Sequence, residues 1–141
     1  MSFEQLALLQ LLPTLFMAGV IWFVQVVHYP LFQRVGTTAF VAYENEHTRR
    51  TAWVVGPFMA VEGVTALLLF GFTPDGVSRP AAFAGLVALA VIHGSTVFLQ
   101  VPAHRSLSAA WDEQVAKRLV STNWIRTVGW SARGLLALAI L

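Results

Sequence analysis

The segment Glu44-Asn45-Glu46-His47 contains a Glu-x-x-His pair. Residues three apart lie on the same face of a helix, so the carboxylate of Glu44 and the imidazole of His47 would be neighbours. Helical bundles with di-iron centres bind metal through this spacing, where the pair occurs twice. Here it occurs once, in a polar segment, and the competing interpretation is a solvated helical face.

Three further histidines follow or precede this pair in apolar surroundings. At about 100° per residue, His93, Val97, Gln100 and His104 fall within an arc of roughly 60° on one helix. Imidazoles that face each other in a bundle can ligate a haem or a metal ion, which makes His28 opposite His93 or His104 a candidate pair. The alternative is a buried histidine hydrogen-bonded to a carboxylate or carbonyl. The sharpest prediction is that His93 is a site residue, with Glu62 as its partner.

A carboxylate and two arginines within the apolar segments form a second group that could carry out chemistry. Glu62 could pair with Arg126 or Arg133 as a structural ion pair, or it could carry a proton beside an arginine that anchors a substrate. We predict Glu62 and Arg126 as catalytic residues. Other polar or aromatic residues would orient a substrate or cofactor, and Trp130 would stack on a planar ligand: His28, Gln100, Asn123 and Trp130.

Composition places these residues in a membrane. Hydrophobic residues make up 57% of the 141-residue chain and charged residues 11%, against about 25% charged in soluble domains. Four apolar segments, at 6–27, 52–72, 81–101 and 124–141, predict an all-α, four-helix transmembrane bundle formed by one domain, 1–141. The second helix is expected to begin near Thr38, residues 73–80 to form a turn, and residues 106–123 to form an amphipathic helix before the last span.

The loops and the remaining composition set the orientation and exclude some functions. Six basic residues lie in the two long connections, Arg34, Arg49, Arg50, Arg105, Lys117 and Arg118, whereas the remaining connection and both termini contain only Arg79. This bias predicts both termini outside the cytoplasm of a bacterial inner membrane and all four histidines in the cytoplasmic half. The chain has no cysteine, which excludes disulfides and thiolate sites, and no basic stripe that would bind nucleic acid.

Two stretches resemble a known family. Gly19, Trp22 and residues 28–32 (HYPLF), together with residues 123–133 (NWIRTVGWSAR), resemble the small four-helix membrane proteins grouped with anthrone oxygenases. That resemblance implies oxidation of a phenolic or polycyclic substrate. The glycine, aromatic and proline pattern of the first helix is more loosely similar to the haem-associated membrane protein that oxidises protoporphyrinogen.

The sequence therefore predicts a membrane oxidoreductase or redox-cofactor protein with a histidine and glutamate site. Its cofactor would be an iron or copper ion, or a haem, and its partners the lipid bilayer and a hydrophobic small molecule. The rival prediction is a non-catalytic subunit of a membrane complex or a small transporter, and a homo-oligomer is also left open. The predicted metal ligands are His28, Glu44, His47, His93 and His104.

Overall fold

The computed structural model describes residues 3–72 and 78–140, and these form four long helices without any strand. Helix α1 consists of Phe3–Phe23, a π turn Val24–His28, Tyr29–Leu31 and a 3-10 turn Phe32–Arg34. Helix α2 is Thr37–Phe72. Helix α3 consists of Arg79–Ser95, a π turn Thr96–Gln100 and Val101–Ala109, and helix α4 is Glu113–Ile140. The all-α prediction is confirmed.

The helix boundaries follow from local chemistry. Gly36 separates α1 from α2 with φ of 85°, a left-handed conformation that a residue without Cβ adopts at low cost. The carboxylate of Asp112 caps α4, because its Oδ1 accepts hydrogen bonds from the backbone N–H groups of Gln114 and Val115 at 2.8 and 3.1 Å. Gly36 therefore marks the boundary between α1 and α2, and Asp112 marks the start of α4.

Each π turn is followed closely by a proline. Pro30 follows the π turn of α1 by two residues, and Pro102 follows that of α3 by two residues. Proline lacks an N–H and crowds the carbonyl four residues earlier, and the wider π turn relieves that contact. The two turns carry Gln25 and two residues of the predicted site, His28 and Gln100, so the irregular backbone coincides with polar side chains.

Burial is inverted relative to a water-soluble bundle. Thr14, Glu62 and Asn123 have no exposed surface, whereas Phe98 and Leu135 are 78% and 71% exposed. Three helices, α1, α2 and α3, are long and apolar enough to cross a membrane, and α4 is not among them. The fold is therefore consistent with an integral membrane protein. The four-span arrangement and the orientation of the termini stay predictions.

The remaining boundary predictions have mixed outcomes. Helix α2 begins at Thr37, one residue before the predicted start. The separate amphipathic helix is not confirmed, because residues 106–123 are divided by a break at 110–112 between the end of α3 and the start of α4. Of the predicted turn at 73–80, residues 73–77 lie outside the described part of the chain, as does residue 141 of the fourth predicted span.

Two hydrophobic clusters hold the bundle together. The first contains Phe32, Phe40, Leu107 and Leu119 together with Tyr29, and the second contains Met17, Ile21, Ile92 and Trp130. A small cavity is lined by residues of both clusters, Tyr29 and Trp130 among them. The polar residues described below lie around this junction, where α1, α2, α3 and α4 all contribute side chains.

Gly129 of α4 packs closely against α3. A Cβ atom on Gly129 would lie 2.6 Å from Cγ1 of Ile92, which is fully buried. We expect Gly129→Ala to destabilise the protein by about 1–3 kcal/mol, because the branched Ile92 side chain has no free space to move into. Gly94→Ala is the control, since a Cβ there meets no atom within 4 Å. Thermal unfolding in detergent measures both, and equal Tm values would contradict the close contact.

Candidate functional site

Five side chains from three helices form one polar group, here called the histidine cluster: His28, Tyr29, Glu44, His47 and His104. Helix α1 contributes the first two at the end of its π turn. Helix α2 contributes the Glu-x-x-His pair from one face, as its spacing predicts. Helix α3 contributes His104, two residues after Pro102.

Glu44 is the buried acid of the cluster. Its side chain has no exposed surface, and its Oε1 lies 2.5 Å from Nδ1 of His104. Its other oxygen, Oε2, makes no hydrogen bond with any described residue. A buried carboxylate oxygen without a donor is costly, and a bound cation would satisfy it.

Polar contacts at the ring nitrogens orient His47 and His104. Nδ1 of His47 lies 2.9 Å from Nε2 of His28 and 3.1 Å from the Thr51 hydroxyl. Nε2 of His104 lies 2.8 Å from the Tyr29 hydroxyl. Metal-bound histidines are commonly held in this way, with the non-ligating nitrogen fixed by a polar partner.

The three groups Glu44, His47 and His104 are close enough to share one ion. Each offers one ligand atom, and these atoms lie within 4.8 Å of one another. An ion with bonds of about 2.0–2.2 Å holds its ligand atoms up to roughly 4.4 Å apart. The three ligand atoms therefore lie near the spacing that one ion requires, and rotation of the side chains would bring them into bonding distance.

A hydrogen-bonded chain supports the cluster from α4 and α1. Nη2 of Arg126 donates to the Tyr29 hydroxyl at 3.1 Å, and its Nε donates to Oδ1 of Asn123 at 2.8 Å. Nδ2 of Asn123 in turn donates to Oε1 of Gln25 at 2.9 Å. Through Tyr29, the chain connects His104 with polar side chains that are all nearly or fully buried.

Two pockets adjoin the cluster. The outer pocket, of about 310 Å³, lies between α2 and α3 and includes His47, His104, Tyr29 and Arg126 in its wall. The inner pocket, of about 70 Å³, shares Tyr29, His47 and Arg126 with it. Its other walls are largely apolar and include Met17, Ile21, Val24, Met59 and Trp130. A ligand in these pockets would touch both the cluster and apolar side chains.

Glu62 belongs to a different network. Its Oε1 accepts a hydrogen bond from Thr14 at 2.6 Å, and its Oε2 accepts one from the Trp130 indole at 2.8 Å. Nε of Arg133 lies 3.4 Å from Oε1, and a second guanidinium nitrogen donates to the Gly85 carbonyl. The structure pairs Glu62 with Arg133 rather than with Arg126.

His93 is not brought to the cluster. Its Nδ1 lies 3.0 Å from the Leu89 carbonyl oxygen of its own helix, and the ring lines a shallow pocket of about 180 Å³ with Gly63 and Leu67. None of its described contacts involves Glu62 or another histidine. The structure therefore does not form the predicted partnership between His93 and Glu62.

The remaining predicted residues lie near the cluster in supporting positions. Gln100 is buried, lines the outer pocket and donates to the Thr122 hydroxyl at 3.3 Å. Trp130 has no exposed surface and lines the inner pocket. Sequence reasoning did not name Tyr29 as a site residue. A signal for it existed, because Tyr29 is four residues after Gln25 and so lies on the same helical face.

Comparison with known proteins adds no assignment. No protein-family model, no curated protein and no solved structure matches the chain. The resemblance to the anthrone-oxygenase-like group therefore stays a prediction. The case for a function rests on the geometry of the histidine cluster and its pockets.

Proposed function

We propose that the protein is a membrane oxidoreductase that binds one divalent transition metal ion, iron foremost, through Glu44, His47 and His104. The observation that carries the proposal is the convergence of these three ligand groups within 4.8 Å of one another. Two imidazoles and one carboxylate are the ligand set of non-haem Fe(II) oxygenases, in which the remaining positions on the metal stay open. The unpartnered oxygen of Glu44 supports the same assignment.

The contacts of each side chain indicate which atom would ligate. Nδ1 of His104 faces Glu44, while its Nε2 is held by Tyr29. Nδ1 of His47 is held by His28 and Thr51, which leaves Nε2 for the ion. The hydrogen bond between Glu44 and His104 would be replaced by two bonds to the ion, with the proton of the neutral imidazole carried on Nε2, toward the Tyr29 oxygen.

The surroundings suit a redox metal more than a haem. When bound, an iron ion with this ligand set supplies redox chemistry with O2. Nε2 of His28 lies only 2.9 Å from Nδ1 of His47, and His93 lies apart, so the described histidines do not form the opposed pair expected for a haem. Glu44 itself is shielded from bulk water, and the adjoining pockets offer apolar walls to a substrate.

Metal content and an optical spectrum test the proposal on the purified protein. We expect a chelator-treated sample, reloaded anaerobically with Fe(II), to retain about one iron per chain and to show no Soret band. Zinc can use the same ligand set, so retention of zinc but not iron would contradict the redox assignment. A protein that binds no metal at all would favour the alternative of a non-catalytic subunit or transporter.

A further inference from the structure

Arg126 is a buried cation without an anionic partner. Arg126 is only 9% exposed, and its guanidinium donates hydrogen bonds to the neutral side chains of Asn123 and Tyr29. No ion pair among the described residues includes it, whereas the other buried arginine, Arg133, lies 3.4 Å from the Glu62 carboxylate. A largely buried charge is stabilised by an opposite charge, so an anion bound beside Arg126 would be favoured.

The position of Arg126 indicates where that anion would lie. Arg126 lines both the outer and the inner pocket, next to Tyr29 and His47. Its Nε and Nη2 donate to Asn123 and Tyr29, and its Nη1 makes no hydrogen bond with any described residue. An oxygen anion in the pocket could therefore accept charge-assisted hydrogen bonds from Nη1 without breaking the existing contacts.

The pocket walls describe the rest of the ligand. Ala52, Val55 and Val101 contribute apolar surface to the outer pocket, and the inner pocket continues with Met59 and Trp130. The outer pocket lies between α2 and α3, two helices that are apolar enough to cross a membrane. A molecule with an apolar body and one anionic oxygen group matches this combination of walls and charge.

We infer that the substrate of the proposed metal site is a membrane-dissolved amphiphile whose anionic oxygen group, a carboxylate foremost, is bound by Arg126. This inference rests on the proposed function in that it calls the ligand a substrate, but the binding of the ligand needs no metal. The head group sits beside His47 and Tyr29, and the apolar body extends along the pocket walls. The carbon atoms nearest the head group then lie closest to the metal ligands.

Binding to the metal-free protein tests the inference separately from the proposed function. Chelator-treated protein in phosphatidylcholine nanodiscs is titrated with radiolabelled dodecanoate or methyl dodecanoate, and binding to empty nanodiscs is subtracted. We expect saturable binding of dodecanoate to be about tenfold tighter or more, because only the carboxylate gains charge-assisted hydrogen bonds. Equal saturable binding of acid and ester overturns the inference, even if the metal site is correct.

Variants on α4 assign the preference to one guanidinium. Arg126→Gln should remove the preference for the carboxylate, and Arg126→Lys should retain part of it through charge alone. Arg118→Gln removes an exposed positive charge from the same helix and should leave the preference unchanged. Full preference in Arg126→Gln overturns the inference. If Arg126→Gln fails to fold, the lysine variant and the comparison of acid with ester on the unmodified protein decide it.

Discussion

Glu44→Ala is expected to remove high-affinity metal binding from the protein. Glu44 supplies the only carboxylate of the proposed ligand set, and its Oε2 makes no other bond with the described residues. Loss of the polar group that orients a metal-bound histidine costs about 10–100-fold in metal affinity, so loss of a ligand itself should cost more. Tyr29→Phe provides the milder comparison, because it removes only the partner of His104 Nε2 and should weaken binding by about 10–100-fold.

His93→Ala is the matched control for this series. His93 is a histidine of α3, as His104 is, but its described contacts leave it outside the cluster. We expect His93→Ala to keep the affinity for Fe(II) unchanged and His104→Ala to lose it, as measured by competition with a chelator of known affinity. Loss of metal in His93→Ala, with retention in His104→Ala, would restore the site predicted from the sequence and contradict the assignment made from the structure.

Glu62→Ala is expected to produce the largest loss of stability. Glu62 and Arg133 are 0% and 4% exposed as side chains, and removal of Glu62 leaves Arg133 buried without its counter-charge and the Trp130 indole without its acceptor. Breaking a buried ion pair costs about 3–5 kcal/mol, which should appear as a much lower Tm in detergent. The iron content of the folded fraction should be unchanged.

Glu46→Ala is the control for Glu62→Ala. Glu46 lies on the same helix, and its ion pairs with Arg49 and Arg50 are exposed to solvent. Exposed ion pairs contribute little to the free energy of unfolding, so this variant should unfold at nearly the same temperature as the unmodified protein. A stable Glu62→Ala protein that has lost its metal or its activity would support the catalytic role that the sequence predicted for Glu62.

The sequence predicted four members of the cluster as residues of one site, His28, Glu44, His47 and His104, but it wrongly placed His93 with them. Glu44 and His47 could be paired because a regular helix separates them by three residues. His93 and His104 were placed on one arc by assuming about 100° per residue throughout. The π turn Thr96–Gln100 lies between them and adds a residue to the helical turn, which rotates the two faces apart.

Other features depended on tertiary contacts that no spacing reveals. Apolar composition was sufficient to predict long helices and an inverted pattern of burial. The partner of Glu62 was not predictable, because the sequence allowed either Arg126 or Arg133 and the packing of α4 decides between them. The break before α4 was also missed, although the Asp112 cap is a local signal that precedes the helix.

X-ray absorption at the iron edge tests the central claim most directly, because it reports the atoms bound to the metal in the intact protein. The sample is unmodified protein reloaded with Fe(II) in detergent. We predict nitrogen and oxygen atoms bound to the iron at about 2.0–2.2 Å, with scattering from the more distant atoms of two imidazole rings. A spectrum with the planar nitrogen ligation of a haem, or one without imidazole scattering, would contradict a site formed by Glu44, His47 and His104.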